Sequence, residues 1–156
     1  MEEKVALYEK VLQLWEGLAR DEGDRVALLA NTCALLHHTF PFHWTGFYLV
    51  RGDWLVLGPF QGPLACSRIG FGKGVCGAAW AQAKTLVVPN VHLWSGHIAC
   101  SPLSNSEIVV PVCLPGGNVV AVLDVDSTEF SAFDSCDVQH LETLCRRLGE
   151  IWWRLS

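Results

Sequence analysis

The chain has 156 residues, of which 51% are hydrophobic and 17% are charged, and its formal net charge at pH 7 is −5. This length predicts a single domain over residues 1–156 with a core of its own. The negative charge and the lack of a basic cluster argue against nucleic-acid binding, and no apolar run is long enough to cross a membrane.

The first forty residues carry two helix patterns. Apolar residues recur at helical spacing from Leu7 to Leu18, which predicts the first helix. Asp24 is expected to cap a second helix from Arg25 to about His38. Pro41 then ends the helical region, because the residue before a proline disfavours the helical conformation.

The next segment, WTGFYLV at residues 44–50, alternates as a strand does. This alternation predicts one face that carries Trp44, Gly46, Tyr48 and Val50. A turn at residues 51–53 leads into DWLVLGPF, which would complete a hairpin. The following elements are predicted to be a strand in LACSRI (64–69), a glycine turn and short helix in GKGVCGAAWAQAK (72–84), and a strand in TLVVP (85–89).

Two more strands and a helix complete the order of elements. The strands are EIVVPVCL (107–114) and NVVAVLDVD (118–126), and Asp134 is expected to cap the last helix, with Asp137 in its first turn. The order is helix, helix, three strands, helix, three strands, helix. It predicts an α+β fold with a mainly antiparallel sheet of about six strands and N- and C-terminal helices packed outside, rather than a parallel βαβ fold.

The last hairpin is expected to bring three carboxylates together. If Gly116 and Gly117 are its two loop residues, Glu107 lies opposite Asp126, and Asp124 shares their face. Like charges in this position destabilise a sheet unless a cation, a ligand amine or a shared proton compensates. The alternatives are acids that reach water at a strand end, or a bulge at the proline in this strand that shifts the register.

The seven cysteines are odd in number and form no CxxC pair, which favours free or catalytic thiols in a reducing cytoplasm. No metal and no cofactor is expected, and a Cys/His metal site has weak support. Two thiols are candidate nucleophiles. Cys76 lies near a helix N-terminus, where the helix dipole favours thiolate, and Cys100 lies in a polar loop with His97 three residues before it. These arguments do not choose between the two thiols.

Several short motifs indicate the function more specifically than the positions of the two thiols do. They are GPFQG at 58–62, GVCG at 74–77, GHIAC ending at Cys100, SNSEIV at 104–109 and LDVDS at 123–127. Together they resemble the free methionine-(R)-sulfoxide reductases, which are stand-alone GAF-domain enzymes. The resemblance runs from about Trp44 to Phe133, and GHIAC followed by SNSEIV is its most specific part.

The resemblance implies a single GAF-like domain and a thiol mechanism without a cofactor. It makes Cys100 the nucleophile and Cys66 the main resolving thiol, with Cys76 able to join the relay, and it implies free methionine-R-sulfoxide as substrate and thioredoxin as reductant. It also implies an acidic pocket of Glu107, Asp124 and Asp126 and an aromatic wall of Trp44 and Tyr48. The chain departs from the family at Ser101, where an aspartate often follows the nucleophilic cysteine.

Two other functions fit parts of the pattern. A non-enzymatic GAF ligand sensor would need the pocket but not the paired thiols, and a thiol redox switch would need the thiols but not the carboxylates. The apolar segment IWW at residues 151–153 suggests a homodimer contact or packing against the sheet.

Overall fold

The computed structural model describes residues 2–96 and 101–156. The elements within these residues follow the predicted order. The helices are α1 (Glu2–Arg20), α2 (Arg25–Thr39), α3 (Gly74–Gln82) and α4 (Ser135–Ile151), and the strands are β1 (Trp44–Arg51), β2 (Trp54–Gln61), β3 (Arg68–Gly70), β4 (Leu86–Val88), β5 (Ser106–Cys113) and β6 (Val119–Ser127). Short 3-10 turns at Val91–Leu93 and Trp152–Arg154 follow β4 and α4.

Both predicted helix caps are confirmed. The Asp24 side chain accepts a hydrogen bond from the Ala27 backbone N–H at 3.0 Å. At the start of α4, Asp134 accepts from the Cys136 N–H at 2.9 Å, and Asp137 accepts from the Asp134 N–H at 2.9 Å. This reciprocal pairing satisfies backbone donors that have no partner inside the helix, so it fixes where α4 begins.

The six strands form one sheet in the order β3-β2-β1-β6-β5-β4, and every neighbouring pair is antiparallel. This arrangement confirms the predicted antiparallel sheet. The predicted strand at 64–69 is an exception, because only its end enters β3, which pairs with Trp54–Val56. The preceding residues leave the sheet, and the Cys66 carbonyl oxygen instead accepts a hydrogen bond from the Tyr48 hydroxyl at 2.9 Å.

The sheet has two buried faces, and Trp44 and Tyr48 share one of them, as the alternation in β1 predicted. Phe47 lies in a large apolar core with residues of α1, α2 and α4. Trp44 and Tyr48 lie on the other face, in a smaller core with Val75 and Ala79 of α3. The candidate site is on this second face. Within the described residues, no helix has the length and apolar character needed to cross a membrane.

Candidate active site

The register of β5 and β6 brings the three predicted carboxylates together. Glu107 pairs with Asp126, as predicted, and Asp124 lies two residues along the same face, opposite Val109. On the far side of β6, Trp44 pairs with Asp126. Directly opposed residues share a face, so an aromatic side chain and two carboxylates form one row across β1, β6 and β5.

The predicted turn between these strands is wrong in detail, although the register it implied is right. The Leu114 N–H donates to the Asn118 carbonyl at 2.8 Å, so the loop has one residue more than the two glycines. The pairing then shifts between Val112 and Cys113, and this bulge restores the register further along the strands. Pro111 causes no shift, because it pairs in register with Val122.

Trp44 forms an aromatic wall with its neighbours. Its ring stacks on Tyr48 with centroids 5.9 Å apart and on Phe60 with centroids 5.2 Å apart. Its Nε1–H donates to the Pro63 carbonyl at 3.0 Å. The lack of a side chain at Gly46 leaves room for the Trp44 ring, because a Cβ there would collide with the indole and lie 2.5 Å from the Phe60 Cβ. The indole therefore lies flat over β1 beside the carboxylates.

The first turn of α3 closes another side of the site. The glycine pattern at residues 72–77 serves backbone packing here: the Gly72 N–H donates to the Gly77 carbonyl at 3.0 Å, and a Cβ on Gly77 would collide with the Gly70 carbonyl. This close approach holds the beginning of the helix against β3. The residues that line the resulting cavity are Trp44, Tyr48, Leu64, Ala65, Ile69, Gly74, Val75, Cys76, Ser101, Ser104, Glu107, Asp124 and Asp126.

The carboxylates cannot all be charged in this position. Burial raises the pKa of Glu107 and of Asp126 well above their usual ranges, and the charge of Asp124 raises both further. Burial also raises the pKa of Asp124, but hydrogen bonds from its neighbours favour its anion. Protons therefore reside preferentially on Glu107 and Asp126, and negative charge on Asp124. The Asp124 Oδ1 atom is buried and accepts no hydrogen bond from the described residues.

Cys76 lies against this cluster, and its environment reverses the effect expected from the helix N-terminus. The side chain is only 4% exposed, and its Sγ is 4.0 Å from Glu107 Oε2. Burial, followed by the negative charges of the carboxylates, raises the pKa of this thiol well above its usual value. The prediction that the helix dipole favours thiolate at Cys76 is therefore wrong, because desolvation and like charge outweigh the dipole.

Donor atoms of Cys76, Glu107 and Asp124 lie within 4.8 Å of one another, so these residues are close enough to ligate a metal ion together. Thiolate and carboxylate ligands are those of zinc sites. A metal would have to displace the protons held by the thiol and by Glu107.

The other cysteines differ in state and position. Cys66 is partly buried and disulfide-bonded. Cys100 and His97 lie outside the described residues, so the sequence prediction for the nucleophile has no structural counterpart. The remaining cysteines are free thiols: Cys33, Cys76, Cys113, Cys136 and Cys145.

The sequence patterns gave His43 no role, and they marked Ser101 only as a departure from the family. His43 Nε2 and Ser101 Oγ are 3.0 Å apart, and Ser101 lines the cavity. The sequence signals were their positions, because His43 precedes β1 directly and Ser101 follows Cys100.

The sequence was compared with those of known protein families, and the GAF domain family matches residues 24–151. GAF domain-containing protein A of Dictyostelium discoideum is 51% identical over 142 residues, which are 90% of this chain and 89% of that protein. The free methionine-R-sulfoxide reductase of Escherichia coli (strain K12) is 43% identical, with 95% of this chain and 90% of that protein covered.

Solved structures agree. The X-ray structure of free methionine-R-sulfoxide reductase from Neisseria meningitidis in complex with its substrate is 50% identical, with a TM-score of 0.93 and coverage of 97% of this chain and 91% of that one. The reduced enzyme of the same kind from Staphylococcus aureus is 41% identical, with a TM-score of 0.87 and coverage of 96% and 95%. The chain belongs to the GAF domain family, in the branch of the free methionine-R-sulfoxide reductases, as the sequence motifs predicted.

Proposed function

We infer that this protein is an oxidoreductase that reduces free L-methionine-(R)-sulfoxide to L-methionine. The observation that carries the inference is the buried carboxylate cluster between an aromatic wall and the Cys76 thiol, in which Asp124 Oδ1 has no hydrogen-bond partner among the described residues. Relatives that are 43% and 37% identical and cover most of the chain are named free methionine-R-sulfoxide reductases.

Recognition of a free amino acid follows from the charge of the cluster. An ammonium group at Asp124 Oδ1 would give this buried oxygen a hydrogen-bond donor and balance the negative charge of the site. A methionine sulfoxide within a polypeptide has no such cation, so the pocket would reject it. We assign the substrate carboxylate to the backbone N–H groups that begin α3, at Gly74–Cys76, where the helix dipole favours an anion.

The apolar part of the substrate would pack against Trp44, whose ring covers this side of the cavity. The sulfoxide oxygen then needs a proton donor, because sulfur becomes electrophilic when its oxygen is protonated or strongly hydrogen-bonded. The pKa values of Glu107 and Asp126 are raised by burial and by the charge of Asp124, which favours their protonated forms and makes them suitable general acids.

In the proposed reaction the Cys100 thiolate attacks the sulfoxide sulfur while a carboxyl of the cluster supplies one proton to the oxygen. The oxygen passes to the cysteine sulfur, so that methionine leaves and Cys100 becomes a sulfenic acid. A second thiol attacks this sulfenic acid, and a disulfide and one water molecule form. The substrate is reduced by two electrons and the two thiols are oxidised by two electrons.

We assign the second thiol to Cys66, with thioredoxin as the external dithiol that restores the enzyme by exchange. The support is that Cys66 is disulfide-bonded and that its neighbour in the chain, Ala65, lines the cavity. Cys76 has a secondary role in this scheme, because its raised pKa makes it a slow attacking thiol.

The predicted homodimer contact would rest on one residue. Trp152 is 8% exposed and packs in the large core, whereas Trp153 is 80% exposed. We propose Trp153 as the part of the IWW segment that is available to a second copy of the chain.

The function is tested by a substrate panel with the purified protein and a dithiol reductant. We expect methionine to form from free methionine-R-sulfoxide, with much slower turnover of the free S epimer and of an R-sulfoxide within a peptide. No turnover of the free R epimer would instead support a ligand sensor or a redox switch. Equal turnover of free and peptide-bound sulfoxide would contradict the role of the carboxylates.

A further inference from the structure

The hydrogen bond between His43 and Ser101 joins the sheet to the residue that follows Cys100. The imidazole Nε2 and the serine Oγ are 3.0 Å apart. The backbone N–H of the same histidine donates to the Asp126 carbonyl at 2.9 Å. His43 is thus fixed to the strand that carries a proposed general acid, and its side chain reaches the segment that carries the proposed nucleophile.

Further along, the same segment is fixed by the backbone. The Asn105 N–H donates to the Ser127 carbonyl at 2.8 Å, and the Asn105 carbonyl accepts from the Val91 N–H at 3.0 Å. Ser101 lies four positions before this anchor, and the exposed Pro102 and Leu103 and the buried Ser104 lie between. Within the described residues, the His43 side chain contacts the segment at Ser101, one position from Cys100 along the chain, whereas the Asn105 anchor is five positions away.

We propose that His43 is a positioning residue, which holds Ser101 and thereby sets the place of the Cys100 sulfur relative to the carboxylate cluster. This proposal rests on the proposed function. Adjacent Cα atoms are about 3.8 Å apart, so a shift of Ser101 moves Cys100 with it. Attack requires the reacting atoms to be held about 3–3.5 Å apart, so a loosened anchor slows the chemical step.

The positioning role of His43 should affect the rate of the chemical step and not the affinity for the substrate. Ser101 lines the cavity, but His43 does not, and the residues assigned to the ammonium and methyl groups lie elsewhere. Loss of the imidazole should therefore reduce kcat for methionine formation and leave KM for the sulfoxide nearly unchanged. If His43 only supported the fold, its loss would also lower the melting temperature, and His43→Gln would not restore kcat.

The experiment compares the reduced wild type with His43→Ala, His43→Gln, Ser101→Ala and the His43→Ala/Ser101→Ala double variant in single-turnover methionine formation. The matched control is His38→Ala, at an exposed histidine. We expect His43→Ala to slow the step about three- to tenfold, as loss of one hydrogen bond would, and glutamine to restore it to within about twofold. The double variant should be no slower than the slower single variant, because both changes remove the same interaction.

A second measurement does not depend on activity. In glutathione redox buffers, the equilibrium for forming the disulfide between Cys66 and Cys100 reports the effective concentration of the two thiols. We expect His43→Ala to lower this value about three- to tenfold and His38→Ala to leave it unchanged. An inactive wild type would contradict the proposed function, and this measurement would still test the role of His43. Independent effects in the double variant, or an unchanged thiol equilibrium, would overturn the positioning role.

Discussion

Glu107, Asp124 and Asp126 share a buried corner because antiparallel pairing puts two of them opposite each other and alternation puts the third beside them. Their charges repel in a poorly solvated place, and the raised pKa values of Glu107 and Asp126 are the result. The same repulsion has two uses in the proposed mechanism. It keeps a proton available for the sulfoxide oxygen, and it leaves negative charge for a substrate ammonium.

The cluster should cost stability as the pH rises. When the pKa of a carboxyl is higher in the folded state than in the unfolded state, its protonation stabilises the fold. This contribution to the free energy of unfolding is fully present below the pKa of the unfolded state, and it is lost as the pH rises through the pKa of the folded state. The pKa of Asp126 is raised well above the ordinary value of 3.8, so the loss begins near pH 4 and continues upward. We expect Asp126→Asn to increase the free energy of unfolding at pH 8 by about 0.5–2 kcal/mol, as relief of a strained functional site does, and to change it little near pH 4.

Urea denaturation at the two pH values checks this prediction. The matched control is Asp53→Asn, at an exposed aspartate in the turn after β1, which should change stability little at either pH. A variant that is less stable than the wild type at pH 8 would show that the folded protein depends on the charge of Asp126. The assignment of a proton to the Asp126 carboxyl would then be wrong.

The limits of sequence reasoning are clear at this scale. The place of each acid follows from counting residues along a hairpin, so the cluster could be predicted. The protonation of Cys76 could not be predicted, because the helix-dipole rule does not account for the groups that pack against a helix N-terminus. Its thiol, in α3, lies 4.0 Å from the buried Glu107 carboxyl in β5, which is a tertiary contact. The His43 contact with Ser101 joins residues 58 positions apart and carries no local signal.

At the scale of elements, the hairpin of β5 and β6 shows how a correct result can follow from an incorrect detail. The loop is longer than the two glycines, but a bulge near the turn compensates, so Glu107 still faces Asp126. Sequence patterns specify which face of a strand is buried, and this requirement preserves the register where the turn does not. The shortened β3 was not predictable in the same way, because the Tyr48 hydroxyl holds the segment that leaves the sheet.

Helix α3 provides a test of this close packing. A Cβ on Gly77 would collide with the Gly70 carbonyl and lie 3.2 Å from backbone atoms of Gly72, so the first turn of α3 would have to move. We expect Gly77→Ala to reduce the free energy of unfolding by about 1–3 kcal/mol, the usual cost of overpacking. It should also raise KM for the sulfoxide, because this turn lines the cavity.

The control is the same change at Gly17 in α1, where a Cβ would meet nothing within 4 Å. Alanine favours helix more than glycine does, so Gly17→Ala should stabilise the protein by about 1 kcal/mol and leave KM unchanged. Thermal denaturation and steady-state kinetics measure both effects. Equal behaviour of the two variants would show that the contact between α3 and the glycine turn does not position the site.

At the scale of the whole molecule, the two faces of the sheet have separate tasks. One face builds the large core with α1, α2 and α4, and the other builds the site with α3. The chain has two tyrosines, one for each task. Tyr8 donates to the buried Asp137 at 2.5 Å and so joins α1 to the cap of α4, whereas Tyr48 donates to the Cys66 carbonyl.

Removing each hydroxyl should therefore have a different effect. We expect Tyr8→Phe to lower the free energy of unfolding by about 1–3 kcal/mol, because the buried Asp137 carboxylate loses a donor, and to leave KM unchanged. Tyr48→Phe should slow recycling of the oxidised enzyme, because the Cys66 segment loses its anchor to the sheet. Thermal melts and turnover assays separate the two outcomes. A changed KM in Tyr8→Phe would show that the two faces are coupled.

Prediction from sequence reached furthest at this scale. The order of elements, the antiparallel sheet and both helix caps follow from local patterns, and the function followed from the short motifs shared with the reductases. Local patterns do not predict the tertiary contacts that hold the site. Two of these are the packing of the Trp44 indole over Gly46 and the hydrogen bond from the Tyr48 hydroxyl to the Cys66 carbonyl.

The central claim is that Cys100 attacks the sulfoxide and Cys66 resolves the product, and one measurement tests it most directly. Reduced enzyme without external reductant is mixed with excess free methionine-R-sulfoxide, and methionine released per enzyme is counted. We expect about one methionine from the wild type, from Cys66→Ser and from the control Cys113→Ser, and none from Cys100→Ser. With thioredoxin added, Cys66→Ser should recycle poorly. Release of methionine by Cys100→Ser at the wild-type level would contradict the proposed mechanism.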